Sequence, residues 1–338
     1  MSASPRILLL GANGQVGHAL RFTLRHTARR LNPHVANPGR DRARADDGAV
    51  HAQDGLVLAT RDGKLEGGEP CGRADLADLD GLRSALDRIA PDLIVNAAAH
   101  TAVDRAEDEP DLAMRVNADA VGVLGQWAAA HDARVVHYST DYVFDGNGHR
   151  PYREDDPVHP VGAYGRSKLA GEFALRASRA SYLILRTAWV YAPRGHNFLR
   201  TMLRLAGERD HLRVVGDQVG APTPAELIAQ VTAQIVPRWF NEDEGDMTAR
   251  AQDGIYHLTA AGETSWHGFA GAIFERAHRA GLIARIPRVD AIETRDYPTR
   301  AQRPAYSVLD TAKLRETFGV QLPDWRKGLD EVFRDLAG

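Results

Sequence analysis

An unbroken apolar run, Ile7-Leu-Leu-Leu10, passes directly into Gly11-Ala-Asn-Gly-Gln-Val-Gly17, and residues 18–29 then carry apolar positions at helical spacing. A short apolar run closed by glycine predicts a strand buried on both faces. The same signal returns at residues 56–60, 93–97 and 134–139, with amphipathic helices predicted over 79–89 and 113–131. Strands alternating with helices predict an α/β class of fold built on a doubly wound parallel sheet.

Past Tyr191 the alternation fades. Residues 198–206 are amphipathic, and 216–224 form a Gly/Pro-rich loop. A helix over 225–235 is expected to pack back on the sheet, followed by a short strand at 255–258 and helices over 265–281 and 324–336. In the last helix Trp325, Leu329, Val332, Phe333 and Leu336 make a stripe that reads as core. Two stretches, 32–54 and 241–253, are polar and aperiodic and read as long loops. The expected organisation is a Rossmann-type nucleotide domain (1–188 and 225–259) and a smaller substrate domain (189–224 and 260–338), with the site in the cleft between them.

Composition narrows the chemistry. The chain has 338 residues, 43% hydrophobic and 26% charged, with a formal net charge of −3. That balance argues against a nucleic-acid partner held by electrostatics. The single cysteine, Cys71, excludes an intramolecular disulfide and fits a reducing compartment. No apolar stretch approaches the ~20 residues of a membrane span, and the first apolar run is too short for a signal peptide. A cytoplasmic location is expected. The 14 histidines form neither HExxH nor a Cys/His cluster, so no metal site is expected.

The glycine turn lies between strand and helix, where a dinucleotide pyrophosphate binds. Gly11 permits the turn, Gly14 lets the backbone approach the phosphates, and Gly17 lets the helix pack close to the sheet. Asn13, Gln15 and Val16 belong to the same cradle. Ligands of such a sheet gather beyond the strand ends, at Arg61-Asp62, at Ala97, Ala98 and Ala99, and at Ser139-Thr140-Asp141. Arg61 suits the 2′-phosphate of NADP, whereas Asp62 suits a ribose hydroxyl, so NADPH is expected and NADH is the alternative. Asp75 can bond adenine with Leu76 packed beside it, or can cap the helix that begins near Leu79.

Tyr164-Gly-Arg-Ser-Lys168 places a phenol and an ammonium on one helix face. A lysine one turn away favours the phenolate and eases proton release; it also suits the nicotinamide ribose. With Thr140 to hold a substrate oxygen, this is a carbonyl-reduction set.

On these motifs the sequence resembles the extended short-chain dehydrogenase/reductases. Within them, Asn96-Ala-Ala-Ala-His-Thr-Ala-Val-Asp104, Ser139-Thr-Asp-Tyr-Val-Phe144, Arg186-Thr-Ala-Trp-Val-Tyr191, Asn197-Phe198, Asp217-Gln-Val-Gly-Ala-Pro-Thr223 and Arg303-Pro304 look like the dTDP-4-dehydrorhamnose reductases. The resemblance runs from residue 6 to about residue 330. It implies Thr140, Tyr164 and Lys168 as catalytic residues and a dTDP-sugar as substrate. It implies Val103, Asp104, Asp141, Trp189, Asn197 and Arg303 around that substrate. Tyr306 departs from the Asn usual after Arg-Pro. Ala19 stands where some relatives carry a glutamate that shares a magnesium across a dimer, so that metal is not expected and a homodimer stays open. Two rival readings are a sugar-nucleotide dehydratase or epimerase and a non-catalytic regulatory subunit like that of methionine adenosyltransferase. Tyr142 speaks against a dehydratase, which carries a carboxylate there; the complete Thr140/Tyr164/Lys168 set speaks against a non-enzyme.

Overall fold

The computed structural model describes residues 5–28, 31, 55–240 and 252–337. The expected loop 32–54 lies outside the described residues, as does the expected loop 241–253 apart from residues 252 and 253. Strand β1 (Ile7–Leu10) is wholly buried, and alternation sends Ile7 and Leu9 into the apolar cluster on one face of the sheet and Leu8 and Leu10 into the other. β2 (Leu56–Thr60), β3 (Gly72–Arg73), β4 (Leu93–Asn96) and β5 (Arg134–Thr140) continue the sheet. It is completed by β6 (Ser181–Thr187), and by a strand at Gly254–His257 that pairs with β6. Every pairing in this seven-stranded sheet is parallel. The chain runs outward from β1 to β3 and then returns to β4 on the opposite side of β1. The switch point therefore lies beyond the ends of β1 and β4, which is where such sheets bind ligands.

Helix α1 (Gln15–Ala28) starts three residues before the expected point, so Gly17 lies inside its first turn. Helix α2 (Leu79–Ile89) is capped by Asp78, whose carboxylate accepts from Gly81 N at 3.0 Å. Asp75 instead accepts from Ala77 N at 2.9 Å, so it is not this helix's cap.

The helix expected over 113–131 is divided. α3 (Val103–Asp108) and α4 (Pro110–Met114) precede a π-helical segment, Arg115–Asp119, and α5 (Ala120–Ala130) follows it. Asn117 accounts for the bulge. Its amide accepts from His100 N at 2.8 Å and donates to His100 O and Ser167 Oγ, both at 3.0 Å, which draws the turn outward toward α6 (Ala163–Ala177). The two segments close to contact because residue 171 has no side chain: a Cβ there would stand 2.0 Å from Asn117 O.

The C-terminal region holds α7 (Phe198–Glu208), α8 (Ala225–Phe240), α9 (Trp266–Arg279), α10 (Ala312–Phe318) and α11 (Trp325–Ala337). A parallel pair not expected from the sequence, His211–Val215 with Arg288–Ile292, lies at its edge. α8 packs on α1 and continues through Pro237, because Trp239 and Phe240 beyond it are buried and Arg134 lies over both rings. One apolar cluster runs from β1 through α8 and α9 to Trp325 and Leu329 of α11. No helix among the described residues is long and apolar enough to cross a membrane.

Candidate active site

The glycine turn takes its shape from close contacts. Gly11 has φ +78°, and a Cβ on it would meet Ala98 N at 2.7 Å. A Cβ on Gly17 would stand 2.0 Å from Gly11 O. Gly14 differs: its nearest neighbour would be Gly11 O at 3.3 Å, and the residue is exposed. It leaves open ground in front of the first-turn N–H groups of α1, which an anion can occupy. Asn13 braces the turn from the side, donating to Lys64 O at 2.9 Å and accepting from Glu66 N at 3.2 Å. Val16 is half-buried against the core.

Beyond β2, Arg61 is exposed, while Asp62 accepts from Thr60 Oγ1 and Lys64 N, both at 3.2 Å. Those bonds hold the Asp62 carboxyl below its usual range, with Lys64 N–H the largest cause. With the carboxylate turned onto its own loop, Arg61 is the free group at this strand end. Leu76 is buried in the core and Ala97, Ala98 and Ala99 line the half-exposed end of β4. An open phosphate cradle and a free arginine fit NADP.

The candidate reacting groups gather beyond β5. Alternation along β5 sends His137 and Ser139 toward α6 and Tyr138 toward α8, where its phenol meets Thr232 at 2.7 Å. Thr140 Oγ1 lies at the strand end. It donates to Asp141 Oδ1 at 3.0 Å and caps the following turn through Tyr142 N. Tyr164 comes from the first turn of α6 to the same point, and its phenol interacts with the Thr140 hydroxyl. Burial pushes Tyr164 up to about 12; the Thr140 hydroxyl opposes this and the Asp141 charge adds to it. Tyr142 meets the Tyr164 ring edge-on, with centroids 5.8 Å apart.

Lys168 is one turn along, 2% exposed, with Nζ donating to Tyr138 O at 2.6 Å. Burial brings it down to about 8, partly offset by Glu172. The expected lowering of Tyr164 by Lys168 does not operate in this arrangement: the nitrogen is drawn to the sheet, and burial sets the phenol's ionisation.

Asp141 is buried, with Oδ2 lacking a hydrogen-bond partner, and burial raises it to about 6 against the influence of the Ser307 and Thr140 hydroxyls. Val103 opens α3, half-buried. Asp104 and Arg303 meet each other, through Nη1–Oδ1 at 3.1 Å and Nη2–Oδ2 at 2.7 Å. Trp189 holds a left-handed backbone, φ +49°, and stacks on Trp266 at 3.5 Å. Asn197 is placed differently from expectation. It caps α7, and its amide donates to Ala192 O, Arg194 O and, at 2.8 Å, to Gln15 Oε1. Its hydrogen-bonding capacity is committed to tying the glycine turn to α7. Tyr306 donates to Glu263 at 3.0 Å. Ala19 is buried in α1, and among the described residues no group of three His, Cys, Asp or Glu side chains is placed to hold a metal.

Sequence reasoning missed His137, Glu172, Arg186 and Trp266. Glu172 was legible as the residue four beyond Lys168 on one helix face. It accepts from Ser139 at 2.6 Å and from Arg186 at 2.9 and 2.7 Å, all buried.

The fold and this cluster define the class: an extended short-chain dehydrogenase/reductase. The family model described as RmlD substrate binding domain matches residues 5–337, and the chain belongs to that family. It is 47% identical over 266 residues to a dTDP-4-dehydrorhamnose reductase of Shigella flexneri, covering 79% of this chain and 86% of the relative. It is 44% identical to one from Burkholderia thailandensis, covering 98% and 99%. A solved dTDP-4-dehydrorhamnose reductase of Clostridium acetobutylicum superposes with TM-score 0.79 at 31% identity, covering 98% of this chain and all of that one. Another, from Bacillus anthracis in complex with NADP, gives 0.77 at 29%, with the same coverage.

Proposed function

We propose that this protein reduces the C4 ketone of dTDP-4-dehydrorhamnose to give dTDP-L-rhamnose, with NADPH as reductant. The observation that carries the reading is the convergence of Thr140, which ends β5, with Tyr164 and Lys168 from the first turns of α6, Lys168 being tied to β5 through Tyr138 O. NADPH supplies the hydride. Thr140 holds the ketone oxygen, and Tyr164 hands its proton to that oxygen as negative charge develops there. A phenol kept fully protonated by burial is an acid that gives up its proton only to a strong base such as an alkoxide. Lys168 holds the nicotinamide ribose. Arg303 meets the substrate's diphosphate through charge-assisted bonds, with Asp104 orienting it, while Val103, Asp141 and Trp189 enclose the sugar. Tyr142 cannot ionise in the neutral range, since burial raises it further, so it offers no second base for an elimination.

The two-domain division is part of this reading. It is supported by the return of α8 and the Gly254–His257 strand to the nucleotide half. The test is direct: purified protein, NADPH and the keto sugar should consume NADPH stoichiometrically. No consumption at saturating substrate sinks the proposal.

A further inference from the structure

Behind the reacting groups lies a buried chain of polar atoms that the reduction itself does not call on. Asn96 Oδ1 accepts from Ala98 N at 3.2 Å, which fixes the amide's orientation, since the reverse would set two donors face to face. Asn96 Nδ2 then points at His137 Nδ1, 3.1 Å away, and donates to it. A neutral imidazole that accepts at Nδ1 carries its proton on Nε2. His137 is fully buried, and both burial and the neighbouring Lys168 hold it well below its usual range, so the neutral ring is the relevant one. Nε2 lies 3.2 Å from Lys168 Nζ. An ammonium is donor only, so an N–H facing it is repulsive; an amine has a lone pair to accept that N–H, while one of its own hydrogens goes to Tyr138 O, 2.6 Å away.

We propose that His137 is a positioning residue for Lys168: locked by Asn96 as the Nε2–H tautomer, it favours the amine and parks it against β5 until the cofactor's ribose hydroxyls draw it away as an ammonium. Above the pH at which Nζ gives up its proton in the free protein, binding of the cofactor is then coupled to proton uptake from solvent by Nζ. The inference rests on the reading of Lys168 as the ribose-holding residue.

The charged surroundings agree. Glu172 on the same helix is bound to Arg186 of β6 and to Ser139, so its charge is largely committed. Tyr164 one turn back is buried and raised, so it adds no negative charge near neutral pH. Asp141 beyond β5, raised to about 6, is ionised there, but Glu172 is the carboxylate whose charge acts on Lys168. Of the helices packed against α6, Glu107 accepts from the helix N-terminus at Ala163 N, Asp104 is held by Arg303, and Arg115 and Asp119 are exposed. Burial leaves Lys168 titrating at about 8.

The first test is ¹⁵N NMR of the histidine rings in the whole, cofactor-free protein, with His137 assigned through His137→Gln. An unprotonated Nδ1 and a protonated Nε2 are expected; an Nδ1–H tautomer or an imidazolium overturns the proposal. The second is calorimetric titration with NADPH in buffers of different ionisation enthalpy. At about pH 9 a group titrating near 8 is about nine-tenths amine, so wild type should take up close to one proton per cofactor. In His137→Gln a carbonyl oxygen can accept from the ammonium, so uptake at this pH should fall measurably below wild type, with burial of Lys168 retained in both proteins. Equal uptake in both proteins overturns the proposal. Neither readout involves the keto sugar, so an enzyme that passes both and fails to reduce it would refute the reductase reading alone.

Discussion

The Arg303 guanidinium lies in two-point contact with the Asp104 carboxylate, so a segment near the C-terminus is fastened to α3, which opens just beyond β4. Ala301 N bonds the same carboxylate at 3.0 Å, and Arg300 meets Asp108 at 2.5 Å. Arg303 thus reaches the site already oriented. Arg303→Lys keeps the charge and loses the planar fork. Its KM for the dTDP-sugar should rise about tenfold, the size of one lost charge-assisted bond, with kcat and the KM for NADPH little changed. Steady-state kinetics checks it, and an unchanged sugar KM removes Arg303 from the substrate site.

Tyr164→Phe retains the ring and loses the proton. Reduction should slow by about 10²–10⁴-fold, while NADPH affinity and Tm stay near wild type. Stopped-flow oxidation of NADPH measures the first and fluorescence titration the second. A variant that is still fully active excludes Tyr164 as the acid.

Asp141 sets a pH dependence of stability. Its folded value, about 6, lies above the unfolded 3.8. Between those values the native state binds more protons than the unfolded one, so stability falls as pH rises through the window. Asp141→Asn should therefore be more stable than wild type at pH 8, by about 1–3 kcal/mol, with the advantage gone near pH 4. Thermal melts across pH 4–8 decide this; a constant difference between the proteins contradicts the assigned ionisation.

Gly14 and Gly17 separate binding from folding. Gly17→Ala forces a Cβ against Gly11 O at 2.0 Å, backbone that cannot move away without shifting the turn. A loss of about 3 kcal/mol or more is expected, as for overpacking at the upper end. Gly14→Ala meets only a 3.3 Å neighbour and should melt within about 1 kcal/mol of wild type. It should nonetheless bind NADPH at least tenfold more weakly, because the methyl occupies the phosphate's approach. Melting curves paired with cofactor titration test the contrast.

Glu172→Gln removes the buried partner of Arg186, whose Nη1 already has no hydrogen-bond partner. Breaking a buried pair costs about 3–5 kcal/mol, so a large drop in Tm is expected. The substitution also removes the charge that offsets burial at Lys168, so proton uptake on cofactor binding should begin at lower pH than in wild type.

Much of the sheet was legible because its signals are local. β1, β2, β4 and β5 are apolar runs closed by glycine, asparagine or hydroxyl residues, and burial on both faces leaves little room for another reading. The Tyr164 and Lys168 pair was legible because helical spacing alone puts the two side chains on one face. The π-helical segment was not, because Asn117 bulges in answer to His100 and Ser167, which are far from it in sequence. The strand at His211–Val215 was not either: it is short and mixed in character, and only its pairing with Arg288–Ile292 makes it a strand.

By itself the sequence determined the order of the main elements, the place of the glycine turn and the choice of candidate reacting groups, since each depends on periodicity or on neighbours within a turn. The tertiary structure decided what those groups are. Burial made Tyr164 a weaker acid than its lysine neighbour suggested. The position of His137 on β5 set the direction in which Lys168 points, and Asn197, expected at the substrate, became the clamp on Gln15. Ionisation depends on desolvation and on partners far apart in the chain, and those distances exist only once the chain has folded.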